Sequence, residues 1–282
     1  MNRYLLALAA GTAAAFGGSI VIAQEHAGHG DHGLHSAHGD HAQHAEHASH
    51  TAATHAIHMA VASLDRPEEA RALDEGRKPA EVLDFLGLKP GMTVADLLTG
   101  EGYWAEIMGH VVGEDGAVIA YQPEQFYTDE DSMAQWAALE ARAPKVSESR
   151  YPFDAFAPPA ESLDFAIINL SYHDLYWVSE RFKIPFTDPS AYVAALYAGM
   201  KPGGIVGVID HTGGEGDTRE IVEATHRINP AVVQADFEAA GFVLAGTSDM
   251  FANPDDDVSM SVFDPEIRGK TDRFVMRFVK PD

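Results

Sequence analysis

The sequence predicts an α/β protein with a doubly wound, mostly parallel sheet. Short apolar runs alternate with longer amphipathic runs along most of the chain, which is typical of strands and helices that follow one another. The strand-like runs are apolar throughout, as expected when helices cover both faces of a parallel sheet. Polar residues follow three of these runs, at the strand ends where ligands bind in such sheets.

Residues 1–23 are predicted to be an export signal. Arg3 provides a positive charge, an apolar stretch runs from Tyr4 to Ile22, and Val21-Ile22-Ala23 fits a small-residue cleavage site. Cleavage there makes Gln24 the first residue of a periplasmic or secreted protein that keeps no stable membrane anchor. An uncleaved membrane anchor is the alternative, although glycines interrupt the apolar stretch.

Residues 24–62 form a histidine-rich arm that we expect to be disordered and to bind metal. Its spacers are small or polar, so the arm has little to bury. Neutral imidazole suits Zn²⁺, Cu²⁺ and Ni²⁺, and few carboxylates are present for Ca²⁺. A solvated, pH-responsive linker is the alternative. The predicted metal ligands recur at every third position: His26, His29, His32, His35, His38, His41, His44, His47 and His50.

Residues 63–282 are predicted to be one folded domain. Residues 63–78 are charged and compatible with a helix, and a second helix follows, with Pro79 in its first turn and Gly87 at its end. Residues 92–122 then form a strand–turn–helix–strand unit. Its parts are an apolar run that contains Asp96, a turn with Gly100 and Gly102, an amphipathic run from Tyr103 to Val112, and an apolar run from Ala117 to Ala120.

The turn in this unit indicates a nucleotide-type ligand. Gly100 and Gly102 allow close approach to the backbone, and the following helix offers free N–H groups. Gln122, which closes the second strand, is placed to meet a ribose. The turn fits both the dinucleotide pattern G-x-G-x-x-A and the methyltransferase pattern D-x-x-x-G-x-G, and Asp96 favours the second. A purely structural glycine turn remains possible.

The remaining elements complete the predicted sheet. They are a helix over Asp131–Arg142, a weak strand at Val146, a buried strand over Leu163–Leu170, a helix over Ser190–Met200, a buried strand over Ile205–Asp210, a helix from Asn229 to Ala240, and strands over Phe242–Gly246 and Asp272–Val279. In a parallel sheet the ends of three strands then converge at Asp96, Asn169 and Asp210-His211.

Composition excludes several classes of protein. The net charge is −24 and no basic patch occurs, which argues against nucleic acid as a partner. The chain has no cysteine, so disulfides, thiolate nucleophiles and cysteine metal sites are absent.

At this point the sequence resembles the class I S-adenosylmethionine-dependent methyltransferases, over roughly residues 66–281. The turn Lys201-Pro202-Gly203-Gly204 before a buried strand is frequent there. Longer motifs resemble a family of exported predicted methyltransferases: Gly76-Arg77-Lys78-Pro79, the run from Asn169 to Trp177, Asp210-His211, and the run from Phe263 to Asp272. Two positions depart from the superfamily pattern, since Leu98 replaces a glycine and Gln122 replaces a ribose-binding acid.

The resemblance implies a Rossmann-like, seven-stranded sheet, S-adenosylmethionine as cofactor and a small-molecule substrate. The implied cofactor contacts are Asp96, Thr99, Gly100, Glu101, Gly102, Tyr103, Gln122 and Asn169. The alternative function belongs to another class: a catalytically inactive protein of the same fold that binds or buffers Zn, Cu or Ni through its arm.

Candidate catalytic residues follow the two buried strands. His173 can deprotonate a substrate group because its reference pKa lies near neutrality, and His211 can share that task. Asp174 or Asp210 can orient an imidazole, and Tyr172 joins the candidate catalytic group. These groups can also simply cap loops. A metal site formed by His173, His211, His226 and a carboxylate is a further alternative, and Arg227, Arg268 and Lys270 are candidate anion contacts.

Overall fold

The computed structural model describes residues 40–282, with side chains from Thr51 onward. The predicted signal peptide and His26, His29, His32, His35 and His38 therefore lie outside the described residues. So do the side chains of His41, His44, His47 and His50. Residues 53–282 form a compact unit of their own. Within the described range, no helix combines the length and the apolar character needed to cross a membrane.

The described chain alternates helices and strands. The helices are α1 Asp40–Val61, α2 Glu68–Arg71, α3 Asp74–Arg77, α4 Pro79–Leu86, α5 Tyr103–Val112, α6 Glu130–Arg142, α7 Pro189–Gly199, α8 Thr218–Thr225 and α9 Pro230–Ala240, with a 3₁₀ helix at Tyr172–Tyr176. The strands are β1 Thr93–Leu97, β2 Ala117–Pro123, β3 Val146–Tyr151, β4 Leu163–Asn169, β5 Met200–His211, β6 Val243–Ser248 and β7 Arg273–Val279.

The seven strands form one sheet in the order β3-β2-β1-β4-β5-β7-β6. Neighbours pair in parallel from β3 to β5, and β7 is antiparallel to both β5 and β6. Side chains of successive strand residues enter two apolar clusters. Phe165 and Ile167 belong to one cluster with α4 and α5, whereas Ala166 and Ile168 belong to the other with α7 and α9. The predicted doubly wound, mostly parallel sheet is confirmed.

Local sequence signals account for several element ends. Helix α4 begins at Pro79 and ends at Gly87, whose φ is +85°. Asn229 begins α9 by accepting a hydrogen bond from the backbone N–H of Ala231, and Gly241 ends it with φ +106°. Helix α5 has the predicted bounds, Tyr103–Val112.

Three segments differ from the prediction. Residues 63–78 form two single-turn helices, α2 and α3, instead of one longer helix. Helix α8 was not predicted, because its first turn is charged and its apolar residues are few. Strand β5 begins at Met200 and therefore includes the Lys201-Pro202-Gly203-Gly204 turn.

The folded domain also begins earlier than predicted. Helix α1 covers residues 40–61 of the segment expected to be disordered. Ala53, Ile57 and Ala60 are buried, and their spacing of four and three residues gives α1 an apolar stripe. Thr54 adds a hydrogen bond of 2.6 Å from its hydroxyl to Asp84 in α4. The boundary lies near residue 53 because this stripe can be buried, whereas the histidine-rich spacers before it offer nothing comparable.

Candidate functional site

Strand register brings the predicted polar strand ends to one edge of the sheet. Leu97 of β1 pairs with Ile168 of β4, and Asn169 at the end of β4 pairs with Ile209 of β5. The turn after β1, Asn169 and Asp210 therefore follow one another along this edge. The chain winds outward in opposite directions from β1 and β4, and a crevice forms at such a switch point in open α/β sheets.

Asp96 organises the turn that follows β1. Its buried carboxylate oxygen Oδ2 accepts a hydrogen bond from the Thr99 hydroxyl at 2.5 Å and another from the backbone N–H of Ala105 at 3.0 Å. Burial raises the pKa of Asp96 to about 7, although these hydrogen bonds and the charge of Arg77 act in the opposite direction. The acid thus ties the turn to the first turn of α5.

The two glycines of the turn, Gly100 and Gly102, lie in different surroundings. Both have positive φ, +62° at Gly100 and +79° at Gly102. A methyl group added to Gly102 would lie 2.5 Å from Cδ1 of Leu139, so helix α6 occupies the space beside it. A methyl group on Gly100 would lie 3.4 Å from the hydroxyl of Tyr127. Packing against α6 therefore explains the glycine at position 102, Tyr127 borders Gly100, and contact of either glycine with a ligand stays a prediction.

The two departures from the superfamily pattern have structural explanations. Leu98 adopts a left-handed conformation, φ +51°, which favours glycine, and its side chain packs against the apolar cluster on the α7 side of the sheet. The buried amide of Gln122 donates a hydrogen bond of 3.0 Å to the carbonyl oxygen of Gly100. Gln122 therefore braces the turn, and its contact with a ribose stays a prediction. Glu101 is exposed and the Leu98 side chain packs into the apolar cluster, so the group recorded beside Gly100 is the Tyr127 hydroxyl.

Arg77 is a site residue that the sequence analysis did not select. Its guanidinium carbon lies 4.2 Å from the centre of the Tyr103 ring, and the charges of Glu101 and Asp96 act on it. Burial lowers the pKa of Arg77 below its usual value. Within the part of the chain that the structure describes, this guanidinium has no hydrogen-bond or ion-pair partner. The only sequence signal was its place in the Gly76-Arg77-Lys78-Pro79 motif.

A buried network holds this region against α5. Arg66 pairs with Asp74 at 2.7 Å, and the Tyr103 hydroxyl donates to the same carboxylate at 2.6 Å. Tyr103, an expected cofactor contact, is thereby fixed in orientation, and its ring supports Arg77. Tyr127, which follows β2, was also missed. Its environment includes the charges of Glu101, Arg77 and Asp174, so it lies between the glycine turn and the ends of β4 and β5.

A histidine–carboxylate cluster occupies the other side of the crevice. His173 is buried in the 3₁₀ helix, and Asp210 contacts it twice. The His173 backbone N–H donates to Asp210 Oδ2 at 2.9 Å, and His173 Nδ1 lies 2.8 Å from Asp210 Oδ1. His173 Nε2 lies 3.5 Å from Asp174 Oδ1, and His226 Nδ1 lies 4.0 Å from that same oxygen. Asp210 is thus the carboxylate that orients His173.

The members of this cluster have strongly shifted pKa values. Burial lowers the pKa of His173, but the charges of Asp210 and Asp174 outweigh it and raise the pKa to about 9. Burial raises the pKa of Asp174 to about 6, although His173 opposes the shift. Burial lowers the pKa of His226 to about 4 and that of His211 to about 3. His173 is therefore protonated near neutral pH, with Nδ1–H facing Asp210 and Nε2–H facing Asp174.

Two predicted catalytic residues lie outside this cluster. His211 Nδ1 contacts the Thr271 hydroxyl at 2.8 Å, and its ring centre lies 6.3 Å from that of His173. The hydroxyl of the buried Tyr172 donates to Asp236 in α9 at 2.7 Å. We therefore assign Tyr172 to the packing between the 3₁₀ helix and α9 and remove it from the catalytic group.

Arg227 is also structural. It forms a buried ion pair of 2.7 Å with Asp256 and donates to the carbonyl oxygen of Met260 at 2.9 Å. Both members of the pair are almost completely inaccessible to solvent. The candidate anion contact at Arg227 is therefore not available to a ligand.

Comparison with known proteins identifies the fold. The family model of protein-L-isoaspartate (D-aspartate) O-methyltransferase matches residues 72–158, from α3 through β3, which is less than a third of the chain. No curated protein matches the sequence.

Solved structures match over most of the chain. A SAM-dependent methyltransferase from Aquifex aeolicus has a TM-score of 0.53 at 21% identity, covering 78% of this chain and 96% of its own. An S-adenosylmethionine-dependent methyltransferase from Mesorhizobium loti has 0.50 at 14%, covering 73% and 99%. The [4+2]-cyclase SpnF has 0.52 at 15%, covering 72% and 82%. The chain has the class I S-adenosylmethionine-dependent methyltransferase fold, and the cyclase shows that this fold alone does not define a reaction.

Proposed function

We propose that this protein transfers a methyl group from S-adenosylmethionine to a small molecule. One observation carries the proposal. Among the described residues Arg77 is an unpaired cation that lies over Tyr103, beside the glycine turn at the end of β1, and a histidine–carboxylate cluster lies at the ends of β4 and β5. S-adenosylmethionine supplies an electrophilic methyl group, and such a reaction needs a cofactor cradle next to a group that accepts a proton.

The residues around the turn fit this cofactor. Gly100 offers backbone without a side chain, and Thr99, Glu101, Tyr103 and Asn169 border the same edge. The cofactor carries a carboxylate, and Arg77 offers a planar guanidinium with no partner of its own among the described residues. Asp96 accepts a hydrogen bond from the backbone of Ala105 and so fixes the turn that contains Gly102. The Gln122 amide nitrogen donates to the Gly100 carbonyl oxygen, and the Gln122 amide oxygen is proposed to contact a ribose hydroxyl.

Across the crevice, Asp174 is placed to take up the proton of the methyl acceptor. Its side chain is 26% exposed, against 6% for His173, so the carboxylate faces the solvent side of the pair. His173 lies behind it, and Asp210 fixes the orientation of the His173 ring. The acceptor atom would form its bond to the methyl carbon as the bond from that carbon to the cofactor sulfur breaks and S-adenosylhomocysteine leaves, and the proton of the acceptor would pass to the Asp174 carboxylate. His211 lies beside His173, with the two ring centres 6.3 Å apart.

Calorimetry with purified protein tests the cofactor site. We expect S-adenosylhomocysteine to bind, and Arg77→Gln to weaken it by about 10- to 100-fold, because a hydrogen bond to a charged group contributes about 1.5–3 kcal/mol. Methylthioadenosine lacks the amino-acid carboxylate, so Arg77→Gln should leave its binding unchanged. Arg181→Gln, at an exposed arginine that stacks on Phe182, is the matched control. If neither S-adenosylmethionine nor S-adenosylhomocysteine binds at millimolar concentration, the proposed function is excluded.

We further propose that the protein works outside the cytoplasm. The support is the sequence of residues 1–23, with its charged start, apolar stretch and small-residue cleavage pattern. Expression of the whole chain followed by cell fractionation and N-terminal sequencing should recover a protein that begins at Gln24. Recovery of the intact N-terminus from the cytoplasm would contradict export.

The arm adds a proposed binding function for Zn²⁺, Cu²⁺ or Ni²⁺, supported by histidines at every third position. Deleting the arm through His58 would remove Ile57 from the core, so substitution is the better test. Replacing the nine histidines from His26 to His50 with glutamine should abolish multi-site metal binding and leave thermal unfolding unchanged. Unaltered metal binding after these substitutions would show that the arm is not the binding site.

A further inference from the structure

A second group of metal-ligating side chains lies in the crevice of the folded domain. We propose that His173, Asp174 and His226 bind one divalent first-row transition-metal ion. Each residue offers one ligand atom, and the three atoms lie within 4.8 Å of one another. The site differs from the cleft site considered from the sequence, because His211 is not part of it.

The distances suit a metal after a small contraction. Asp174 Oδ1 lies 3.5 Å from His173 Nε2 and 4.0 Å from His226 Nδ1. Ligand atoms at 2.0–2.1 Å from a tetrahedral zinc lie about 3.3 Å apart. The carboxylate and His173 are thus almost in position, and the His226 ring must approach by about 1 Å. Both Asp174 and His226 are partly accessible, which allows such an adjustment.

Both histidine rings are held in place by neighbouring side chains, as metal-bound histidines usually are. A ligating histidine usually donates its other ring N–H to a carboxylate, which fixes the ring and directs the free nitrogen at the metal. Asp210 Oδ1, at 2.8 Å from His173 Nδ1, fills this role and leaves Nε2 facing Asp174. The His226 ring is held edge-on by Trp177 and Phe263, with ring centres at 4.5 and 4.8 Å.

Charge and ligand type select the kind of ion. Asp174 and Asp210 bring two negative charges, and in the described residues Asp174 pairs with no lysine or arginine. Arg227 already forms an ion pair with Asp256. Two imidazoles and one carboxylate suit Zn²⁺, Fe²⁺ or Co²⁺, whereas Mg²⁺ and Ca²⁺ prefer sites made of oxygen. Three protein ligands leave a coordination position open at the edge where the methyl acceptor is proposed to bind.

His226 is the residue that distinguishes this site from a simple hydrogen-bonded cluster. In the described structure neither of its ring nitrogens has a hydrogen-bond partner, and the nearest polar contact is the Asp174 oxygen at 4.0 Å. This imidazole, held edge-on by two aromatic rings with Nδ1 4.0 Å from the Asp174 oxygen, is placed to complete a metal site. The metal site does not depend on the proposed methyl transfer; with an ion bound, Asp174 Oδ1 would be a ligand and would not act as the proton acceptor.

The test uses the full chain with the nine histidines from His26 to His50 replaced by glutamine, so that these positions contribute no metal binding. We expect this protein to bind one Zn²⁺ per chain in competition with a chromophoric chelator. With Co²⁺ it should show the visible absorption of a four-coordinate nitrogen and oxygen site. Zn²⁺ should also raise the midpoint of thermal unfolding, because it binds only the folded state.

Variants then locate the ion. His226→Gln should weaken Zn²⁺ binding at least 10-fold and abolish both the Co²⁺ spectrum and the thermal shift, whereas His55→Gln, at an exposed position on α1, should change none of them. Asp210→Asn should weaken binding by about 10- to 100-fold through the orientation of His173. If the arm-substituted protein binds no Zn²⁺ at micromolar concentration, or if His226→Gln binds it equally well, the inference is wrong. Zinc binding without cofactor binding would retain this site and reject methyl transfer.

Discussion

The buried carboxyl of Asp96 gives this fold a testable dependence on pH. Its pKa is raised from an ordinary value of 3.8 to about 7 by burial, which outweighs its two hydrogen bonds. The stability that it contributes is fully present below pH 3.8 and is lost as the pH rises through 7, because over this window the unfolded chain loses a proton that the folded chain keeps. Asp96→Asn removes the titration, since the amide oxygen can still accept both hydrogen bonds.

The size of the effect follows from the shift in the pKa of Asp96. Within this window the free energy of unfolding falls by about 1.4 kcal/mol per pH unit, and the fall levels off near the folded-state pKa. Between pH 5 and pH 8 the wild-type protein should therefore lose about 2.5 kcal/mol through Asp96, and the variant should not. The free energy of unfolding of Asp96→Asn, measured relative to wild type, should rise by that amount across the range.

Urea denaturation at several pH values between 5 and 8 measures this difference, with tryptophan fluorescence as the signal. Trp104 and Trp136 are buried on either side of the turn and should report its unfolding. Asp154→Asn, at an exposed aspartate, is the control and should parallel wild type throughout. If Asp96→Asn also parallels wild type from pH 5 to pH 8, the carboxyl does not keep its proton in the folded state and the argument from burial fails.

Three further predictions concern packing around the site. Gly102→Ala should lower the free energy of unfolding by about 2–5 kcal/mol, because it adds a clash with Leu139 to a left-handed backbone. Gly91→Ala, with φ +83° and no atom within 4 Å, should cost only about 1–2 kcal/mol in the same urea experiment, and equal losses would show that the clash is relieved. Arg227→Met should lower the free energy of unfolding by about 3–5 kcal/mol, because Asp256 is left buried and without its ion-pair partner. The double variant Arg227→Met with Asp256→Leu should recover part of this stability, and if it recovers none, the ion pair is not the cause. Tyr172→Phe should cost about 1–2 kcal/mol in thermal or urea unfolding and leave S-adenosylhomocysteine binding unchanged, whereas weakened binding at equal stability would return Tyr172 to the site.

The sequence alone was sufficient for the features that depend on residues close in the chain. The period of apolar residues set the bounds of α5, and Asn229, Gly87 and Gly241 marked helix ends through their own backbone preferences. The alternation of strands and helices predicted the parallel sheet, and parallel strands necessarily bring Asp96, Asn169 and Asp210 to one edge. These results follow because helix and strand signals depend on neighbours within a few residues.

Only the tertiary structure decided which of these side chains meet. Arg77 reaches the glycine turn from a separate helix, Asp210 contacts His173 across 37 residues of sequence, and His226 arrives from the end of a helix that was not predicted. Tyr172 follows β4 as expected, yet its hydroxyl donates to Asp236 in α9. Partners so far apart are set by strand register and by the packing of helices on the sheet, and the local sequence contains neither.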